Sequence, residues 1–277
     1  MLNERQSAIL SYITEHGEAR NSDLLPLIGS CSPMTLWRDM EKLEKEGSIV
    51  RVRGGAMLSH TPKIAGLESA FSERIHQNAS AKQRIAKLAA ALFRSNHAYY
   101  LDAGSTVAAL TRSLKAGNYT ILTSAANIAA ELASSSRFNV TLLGGQVSSN
   151  TLSCSGPQAE SMLDGMNIDV AVMATSGYSV NSGFTVGSLQ EAQLKQKIIR
   201  KAAFSVMLLD AGKIGKNHPF TFASLADIDI LICDQTPPED MLKAAVTHKT
   251  QIFTPEDQLS PEQRMTVYQY LLQREKP

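Results

Sequence analysis

Several residue types are scarce in this chain, and each shortage excludes a class of protein or site. Its 277 residues include three cysteines, Cys31, Cys154 and Cys233, which are far apart and form no CxxC pair. A disulfide framework and a zinc site are therefore not expected, and a reducing cytoplasm fits this cysteine content. We predict no metal and no other cofactor.

Long hydrophobic runs and a strong net charge are also missing. No apolar stretch approaches the ~18 residues of a membrane-spanning helix, so we expect a soluble, cytoplasmic protein with no membrane partner. The net charge is +1, and residues 1–60 carry seven Lys and Arg against eight Asp and Glu. Any binding of nucleic acid must therefore depend on a local basic face.

The chain is long enough for two folded domains. Hydrophobic residues make up 43% of it and charged residues 19%, which is typical of globular proteins. Pro62 and Gly66 interrupt a stretch with little periodicity, which indicates a linker. We predict a small domain over residues 1–58, a linker over residues 59–66 and a larger domain over residues 67–277.

The small domain is predicted to contain three helices. The first ends at Gly17, and the second is short, begins at Asn21 or Ser22 and ends at Gly29. The third begins after Ser32, a residue that can cap a helix. Its apolar positions recur at helical spacing and should face the core: Leu36, Met40 and Leu43.

The opposite face of the third helix, together with the segment after it, is a candidate DNA-binding surface. The segment alternates Val and Arg and turns at Gly54-Gly55, which predicts a hairpin with both arginines on one face. Helix residues near the N-terminal half would contact base edges, and the hairpin would contact phosphate or the minor groove. The candidate residues are Ser32, Thr35, Trp37, Arg38, Arg51 and Arg53. Two alternatives stay open: a solvated face of a helical bundle, and a winged helix that contacts only protein.

Residues 1–58 resemble the DeoR-type winged helix-turn-helix. The resemblance lies in Ser32, Thr35, Trp37-Arg38, Asp39-Met40, Leu43-Glu44, Gly47 and Gly54-Gly55-Ala56. Trp37 stands where this family usually has the first of two arginines, so one expected DNA contact is missing. Stacking on a DNA sugar and packing between helices are both possible roles for this tryptophan.

In the larger domain, strand-like and helix-like segments alternate. The predicted strands are 99–101, 120–122, 140–143, 170–173, 206–209, 228–232 and 251–253, and the predicted helices begin near Ser80, Ser105, Ile128 and Glu191. Such alternation predicts an α/β fold, with a mostly parallel, Rossmann-like sheet covered by helices on both faces.

Ligands of such sheets bind beyond the carboxyl ends of the strands, and small or hydroxylated residues follow several strands here. Small residues let backbone N–H groups approach a ligand, and a helix N-terminus favours phosphate. Lysine would add a charge, and the aspartates would accept from sugar hydroxyls. The candidate effector-binding residues are Asp102, Gly104, Ser105, Thr106, Thr123, Ser124, Gly144, Gly145, Asp210 and Lys213. Glu191 and Lys195, one turn apart, are interpreted by default as a surface pair.

This domain is similar to the effector domain of the DeoR family, which is related in fold to ribose-5-phosphate isomerase. The similarity adds Gly156, Asp169 and Gly183 to the strand-end residues, whereas Ser105 and Ser124 replace the usual Thr and Asn. The resemblance implies a bacterial transcriptional regulator, most often a repressor of a sugar-utilisation operon. Its expected partners are a double-stranded DNA operator and a phosphorylated sugar, and paired DNA-binding heads imply a homo-oligomer.

Two other functions remain open for the larger domain. It could be a sugar-phosphate isomerase or deaminase with an attached DNA-binding head, in which Asp102, Asp210 or Glu191 serves as the base. No histidine follows the predicted strands and no clear acid/base pair emerges, so we predict no catalytic residues and no enzyme. The domain could also serve only for oligomerisation.

Overall fold

The structure, a computed structural model, describes residues 3–29, 32–45, 48–52, 54–58, 70–135 and 138–255. The chain divides into two compact units, Met1–Lys63 and Ile64–Pro277, and the division falls within the predicted linker. That linker, residues 59–66, lies outside the described residues, as do Cys31, Gly47 and Arg53.

The smaller unit combines helices with a three-stranded antiparallel sheet. In chain order its elements are α1 (Glu4–His16), β1 (Glu18–Arg20), α2 (Asn21–Leu27), α3 (Pro33–Lys45), β2 (Ile49–Val52) and β3 (Gly55–Leu58). The sheet order is β1-β3-β2, so the β2–β3 hairpin gains an extra strand. The predicted helices and the hairpin are confirmed, whereas β1 was not predicted.

Caps and apolar spacing explain the helices of the smaller unit. The Asn3 side chain accepts a hydrogen bond from the Gln6 backbone N–H at 2.8 Å, which satisfies an orphan donor of α1. The Ser32 hydroxyl accepts from the Thr35 N–H at 3.2 Å and caps α3 in the same way. The buried residues of the helices form one core with Ala19, Ile49 and Ala56: Ile9, Ile13, Leu24, Leu36, Met40 and Leu43.

The larger unit is built on a seven-stranded sheet in the order β15-β14-β12-β9-β4-β5-β6, and every neighbouring pair is parallel. Its strands are β4 (His97–Leu101), β5 (Tyr119–Thr123), β6 (Asn139–Leu142), β7 (Gln146–Val147), β8 (Cys154–Ser155), β9 (Val170–Ala174), β10 (Gly177–Ser179), β11 (Gly183–Val186), β12 (Phe204–Leu209), β13 (Phe220–Ala223), β14 (Ile230–Cys233) and β15 (Gln251–Phe253). Its helices are α4 (Phe71–Arg74), α5 (Ala79–Ala90), α6 (Ser105–Thr111), α7 (Ala126–Ala133), α8 (Pro157–Met162), α9 (Leu189–Lys201) and α10 (Glu239–His248).

Helices cover both faces of this sheet. On one face, apolar residues of α5, α6 and α7 cluster with alternate strand residues such as Tyr99 and Val206. The intervening residues, such as Tyr100 and Met207, cluster on the other face with α8, α9 and α10. Because successive side chains of a strand point to opposite faces, both faces of the central strands are apolar and buried. The predicted α/β, Rossmann-like architecture is confirmed.

Short antiparallel pieces complete the larger unit and were not predicted. Strands β10, β11 and β13 form a three-stranded sheet, and β7 pairs with β8. The sequence predicts a helix that begins near Ser80, and α5 begins at Ala79, directly after Asn78, whose φ is 52°. Asparagine tolerates this left-handed conformation.

Candidate functional site

The exposed face of α3 carries the residues predicted to contact DNA. Met34 and Trp37 are 60% and 45% exposed, and Arg38 is exposed as well. Thr35 is half-buried, and its hydroxyl lies 3.0 Å from the hydroxyl of Ser32. Ser32 therefore holds the N-terminus of α3, and Met34, Trp37 and Arg38 are among the side chains that this helix presents outward.

Trp37 does not pack between helices; it pairs with Arg51 of the hairpin. The guanidinium carbon of Arg51 lies 4.9 Å from the centroid of the Trp37 ring, within cation–π distance. Glu44 fixes this arginine, because its carboxylate accepts from the Arg51 Nε at 2.7 Å and from the Arg51 backbone N–H at 3.0 Å. These hydrogen bonds lower the pKa of Glu44. Arg53, the other predicted hairpin contact, lies outside the described residues.

Asp39 anchors α3 to α1 and was identified by the sequence only as part of the family pattern. It is 5% exposed, and its carboxylate accepts from the Arg5 Nε at 2.9 Å and the Gln6 Nε2 at 2.8 Å. Burial raises the pKa of Asp39, but hydrogen bonds from Arg5, Gln6 and Asn3 outweigh burial and lower it overall. A carboxylate held in this way fixes the orientation of the exposed helix face.

A small pocket lies at the carboxyl ends of β4 and β9, and its accessible volume of about 10 Å³ is roughly that of one water-sized sphere. Four of the candidate effector-binding residues line it: Gly104, Ser105, Thr106 and Lys213. The other lining residues are Arg74, Ala103, Ala174, Thr175, Ser176, Glu191 and Lys195. Arg74 was not predicted, because it belongs to the four-residue helix α4 and no pattern distinguishes it from a solvated arginine.

Lys195 and Glu191 are not a surface pair, contrary to the default interpretation. Lys195 is 1% exposed and Glu191 is 7% exposed. The Lys195 ammonium contacts the Asp102 carboxylate, donates to the Ala174 carbonyl at 3.0 Å and lies 3.5 Å from Glu191 Oε1. Asp102 also accepts from the Ala174 N–H at 2.8 Å. A buried, paired cation therefore forms part of the pocket wall.

Gly104 allows the two strand ends to approach each other. A Cβ atom at this position would lie 2.7 Å from the Cβ of Ala174, which is closer than van der Waals contact allows. The absence of a side chain thus brings the start of α6 next to the end of β9, and both border the pocket.

Lys82 adds positive charge behind the pocket. It is 3% exposed, and its ammonium donates to the carbonyls of Arg74 and, at 2.6 Å, Gln77. Burial lowers the pKa of Lys82 to about 8; Asp210 raises it, and Lys213 and Arg74 lower it. Lysine and arginine side chains are thus close enough to repel each other, and an anion in the pocket would relieve this repulsion.

Asp102 and Asp210 lie behind the pocket lining rather than in it. Asp102 is engaged by Lys195, and Asp210 is 2% exposed and accepts from the Asn78 side-chain amide at 2.9 Å. Neither carboxylate is therefore among the lining residues of this pocket, although the sequence predicts that both contact a ligand. Asp102 instead holds Lys195 in position, and Asp210 holds Asn78.

Four further predicted effector residues are also absent from the lining. The Thr123 hydroxyl donates to the Leu101 carbonyl at 2.7 Å, and the Ser124 hydroxyl lies 2.7 Å from that of Tyr100. Gly144 and Gly145 form the turn into β7, where Gly145 has a φ of 114°. These residues shape strand ends, and the structure does not bring them to the pocket.

In the part of the chain that the structure describes, no group of three or more His, Cys, Asp or Glu residues is placed to hold a metal ion. Among the helices described, none combines the length and hydropathy needed to cross a membrane. Cys154 and Cys233 are free and buried, and burial raises the pKa of both thiols.

Family models match both units. The DeoR-like helix-turn-helix domain matches residues 5–61, and the DeoR C-terminal sensor domain matches residues 77–235. Together the two models cover the candidate DNA-binding surface and every lining residue of the pocket except Arg74. The resemblance seen in the motifs is thereby confirmed.

Characterised proteins are similar over most of the chain. The HTH-type transcriptional repressor GlcR of Bacillus subtilis is 30% identical, covering 84% of this chain and 89% of that protein. The L-fucose operon activator of Haemophilus influenzae is 28% identical, covering 89% and 98%. A solved structure of ribose 5-phosphate isomerase A from Methanocaldococcus jannaschii superposes with a TM-score of 0.37 and 17% identity, covering 50% of this chain and 55% of that one. The chain belongs to the DeoR family of helix-turn-helix transcriptional regulators.

Proposed function

We propose that this protein represses a carbohydrate-utilisation operon and that a phosphorylated sugar, bound in the pocket at the ends of β4 and β9, controls its DNA binding. The pocket carries the proposal. Three cations, Arg74, Lys195 and Lys213, and one carboxylate, Glu191, are among its lining residues. Such a charge balance favours an anion, and small and hydroxylated residues complete the wall.

The phosphate and the sugar would use different parts of the pocket. Lys213 and Arg74 would pair with phosphate oxygens, and backbone N–H groups at the start of α6, around Ser105 and Thr106, would donate to them. The Glu191 carboxylate and the Ser176 hydroxyl would bind sugar hydroxyls. Asp102 would act indirectly, by holding Lys195 in position.

At the other end of the chain, α3 would enter the major groove of operator DNA. Thr35 and Arg38 would contact base edges, with Trp37 beside them, and Ser32 would hold the helix N-terminus. Arg51 and Arg53 of the hairpin would contact phosphate or the minor groove. We expect a cytoplasmic homo-oligomer, because one head with few phosphate contacts binds weakly at physiological salt.

The effector can act only if its affinity differs between a DNA-binding and a non-binding state of the protein. A coupling free energy of ~1–3 kcal/mol, typical of allosteric proteins, would change operator affinity about 5–150-fold. The name of one relative describes a repressor and that of another an activator, so the sign of the response is part of the test. We assign no catalytic residue, because the Asp102 carboxylate is already engaged by Lys195 and Ala174.

Ligand binding is tested by thermal shift of the full chain against phosphorylated sugars, each beside its unphosphorylated parent. We expect some phosphorylated sugar, but not its parent, to raise the Tm, and Lys213→Ala to abolish that shift. Lys115→Ala is the control, because Lys115 is an exposed lysine in the loop that follows α6, and this variant should keep the Tm shift. If no sugar phosphate shifts the Tm, the sensing proposal fails. If the protein converts a sugar phosphate to product and Asp102→Asn abolishes that turnover, the result instead favours an isomerase or deaminase.

DNA binding is tested with duplexes selected by the protein from a random pool. Arg38→Ala should weaken binding by about 1–3 kcal/mol, the contribution of one good base contact, and leave the sugar-phosphate shift unchanged. Equal affinity of the variant and the parent protein for the selected duplex would remove Arg38 from the interface.

A further inference from the structure

The exposed face of α3 carries an apolar patch in the middle of the proposed DNA-binding surface. Pro33, Met34 and Trp37 line a shallow cavity whose exposed surface is almost entirely apolar. Met34 is three residues before Trp37 and four before Arg38, so on a helix its side chain neighbours both. The patch is therefore continuous with the arginine proposed to contact bases.

Arg51 packs on one side of the Trp37 ring. The Arg51 guanidinium covers part of that ring at 4.9 Å, and Glu44 holds that guanidinium through two hydrogen bonds. Trp37 nevertheless stays 45% exposed. The arrangement presents an aromatic surface beside Met34.

A protein partner does not suit this patch. Stable protein interfaces use about 20–30 residues on each side, whereas here three side chains are apolar and a charged arginine adjoins them. The major groove offers a better match, because the C5-methyl of thymine is its apolar group and contacts side chains of this kind.

We infer that Met34 and Trp37 contact thymine methyl groups and make this protein select thymine at one or two operator positions. The inference rests on the proposed function, in which α3 enters the major groove. The apolar contact takes the place of the phosphate or base contact that an arginine at position 37 would make. Glu44 and Arg51 act as positioning residues for Trp37.

The test removes only the methyl group. The full chain selects a duplex from a random pool, and its affinity is then measured for that duplex with each thymine replaced in turn by deoxyuridine. At one or two positions we expect about fourfold weaker binding, which corresponds to ~0.8 kcal/mol for one buried methyl group.

Variants connect this loss to the patch. Met34→Ala and Trp37→Ala should bring the thymine-to-uracil affinity ratio at those positions close to one, whereas Trp37→Phe, which keeps an aromatic ring, should retain part of it. Val246→Ala, at an 80% exposed valine of α10, is the matched control and should keep the full ratio. Because all three side chains are exposed, unchanged Tm values will show that the variants fold.

Two results would overturn the inference while leaving the proposed function intact: equal binding of thymine and deoxyuridine duplexes at every position, or a ratio that survives both alanine variants. Failure of the full chain to select any duplex would overturn the proposed function together with the inference. The inference is supported if the thymine-to-uracil affinity ratio falls to about one in Met34→Ala and Trp37→Ala but is unchanged in the Val246→Ala control.

Discussion

Replacing Lys195 by methionine should lower the free energy of unfolding of the larger unit by about 3–5 kcal/mol. The side chains of Lys195 and Asp102 are each 2% exposed and form an ion pair. Methionine keeps much of the volume but removes the charge. The Asp102 carboxylate would then keep, among its described contacts, only the Ala174 N–H at 2.8 Å. An uncompensated buried charge of this kind is the reason for the large cost.

A double replacement separates charge from packing. Asp102→Asn keeps the oxygen that accepts from Ala174 and has no charge to neutralise, so combining it with Lys195→Met should recover part of the loss. We expect a coupling free energy of about 1–3 kcal/mol. Urea unfolding of the full chain followed by far-UV circular dichroism measures it. Trp37, the single tryptophan, lies in the smaller unit, so the urea unfolding transition that its fluorescence reports should be the same in all variants.

Lys201→Met is the matched control, since Lys201 lies on the same helix and donates at 3.3 Å to the Asp164 carbonyl in an exposed contact. It should change stability by no more than about 0.5 kcal/mol. If Lys195→Met costs less than about 1 kcal/mol, or if the losses of the single variants simply add in the double variant, the buried ion pair does not stabilise the pocket wall as argued.

Two further predictions concern pH and packing. Burial lowers the pKa of Lys82 to about 8 and a bound anion should raise it, so protons are taken up on binding. Affinity for a sugar phosphate should therefore fall about fivefold between about pH 8 and pH 9, where the phosphate charge is constant, and Lys82→Met should remove this dependence in calorimetric titrations. Gly104→Ala should cost about 1–3 kcal/mol, because its Cβ would lie 2.7 Å from that of Ala174. Gly165→Ala is the control, because a Cβ atom at this position would have no other atom within 4 Å. An equal Tm for the two variants would contradict the packing argument.

Local patterns were enough to predict most of the regular structure. The helical spacing that ends at Leu43 and the strand segments around Tyr99 and Val206 are properties of neighbouring residues, which is why they were found. Strands β1, β10 and β13 were missed because each has three or four residues and depends on pairing with distant segments. Such short strands have no periodicity of their own.

The candidate pocket was predicted in part, for a related reason. The strand-end rule located Gly104, Ser105, Thr106 and Lys213, since carboxyl ends of parallel strands share one edge of a sheet. It equally favoured Thr123, which ends β5, and Gly144, which leads into β7. Only the strand order shows that β4 and β9 are neighbours while β5 and β6 continue to the sheet edge.

The sequence by itself determined the family, the two-domain organisation and the chemical character of the strand ends, because these are carried by residue types and their spacing along the chain. The tertiary structure alone decided the surroundings of individual side chains. The i, i+4 spacing of Glu191 and Lys195 is the same on an exposed and on a buried helix face, and only the packing of α9 against the sheet brings Lys195 to Asp102. Likewise, the stacking of Arg51 on Trp37 depends on how the hairpin folds back beside α3.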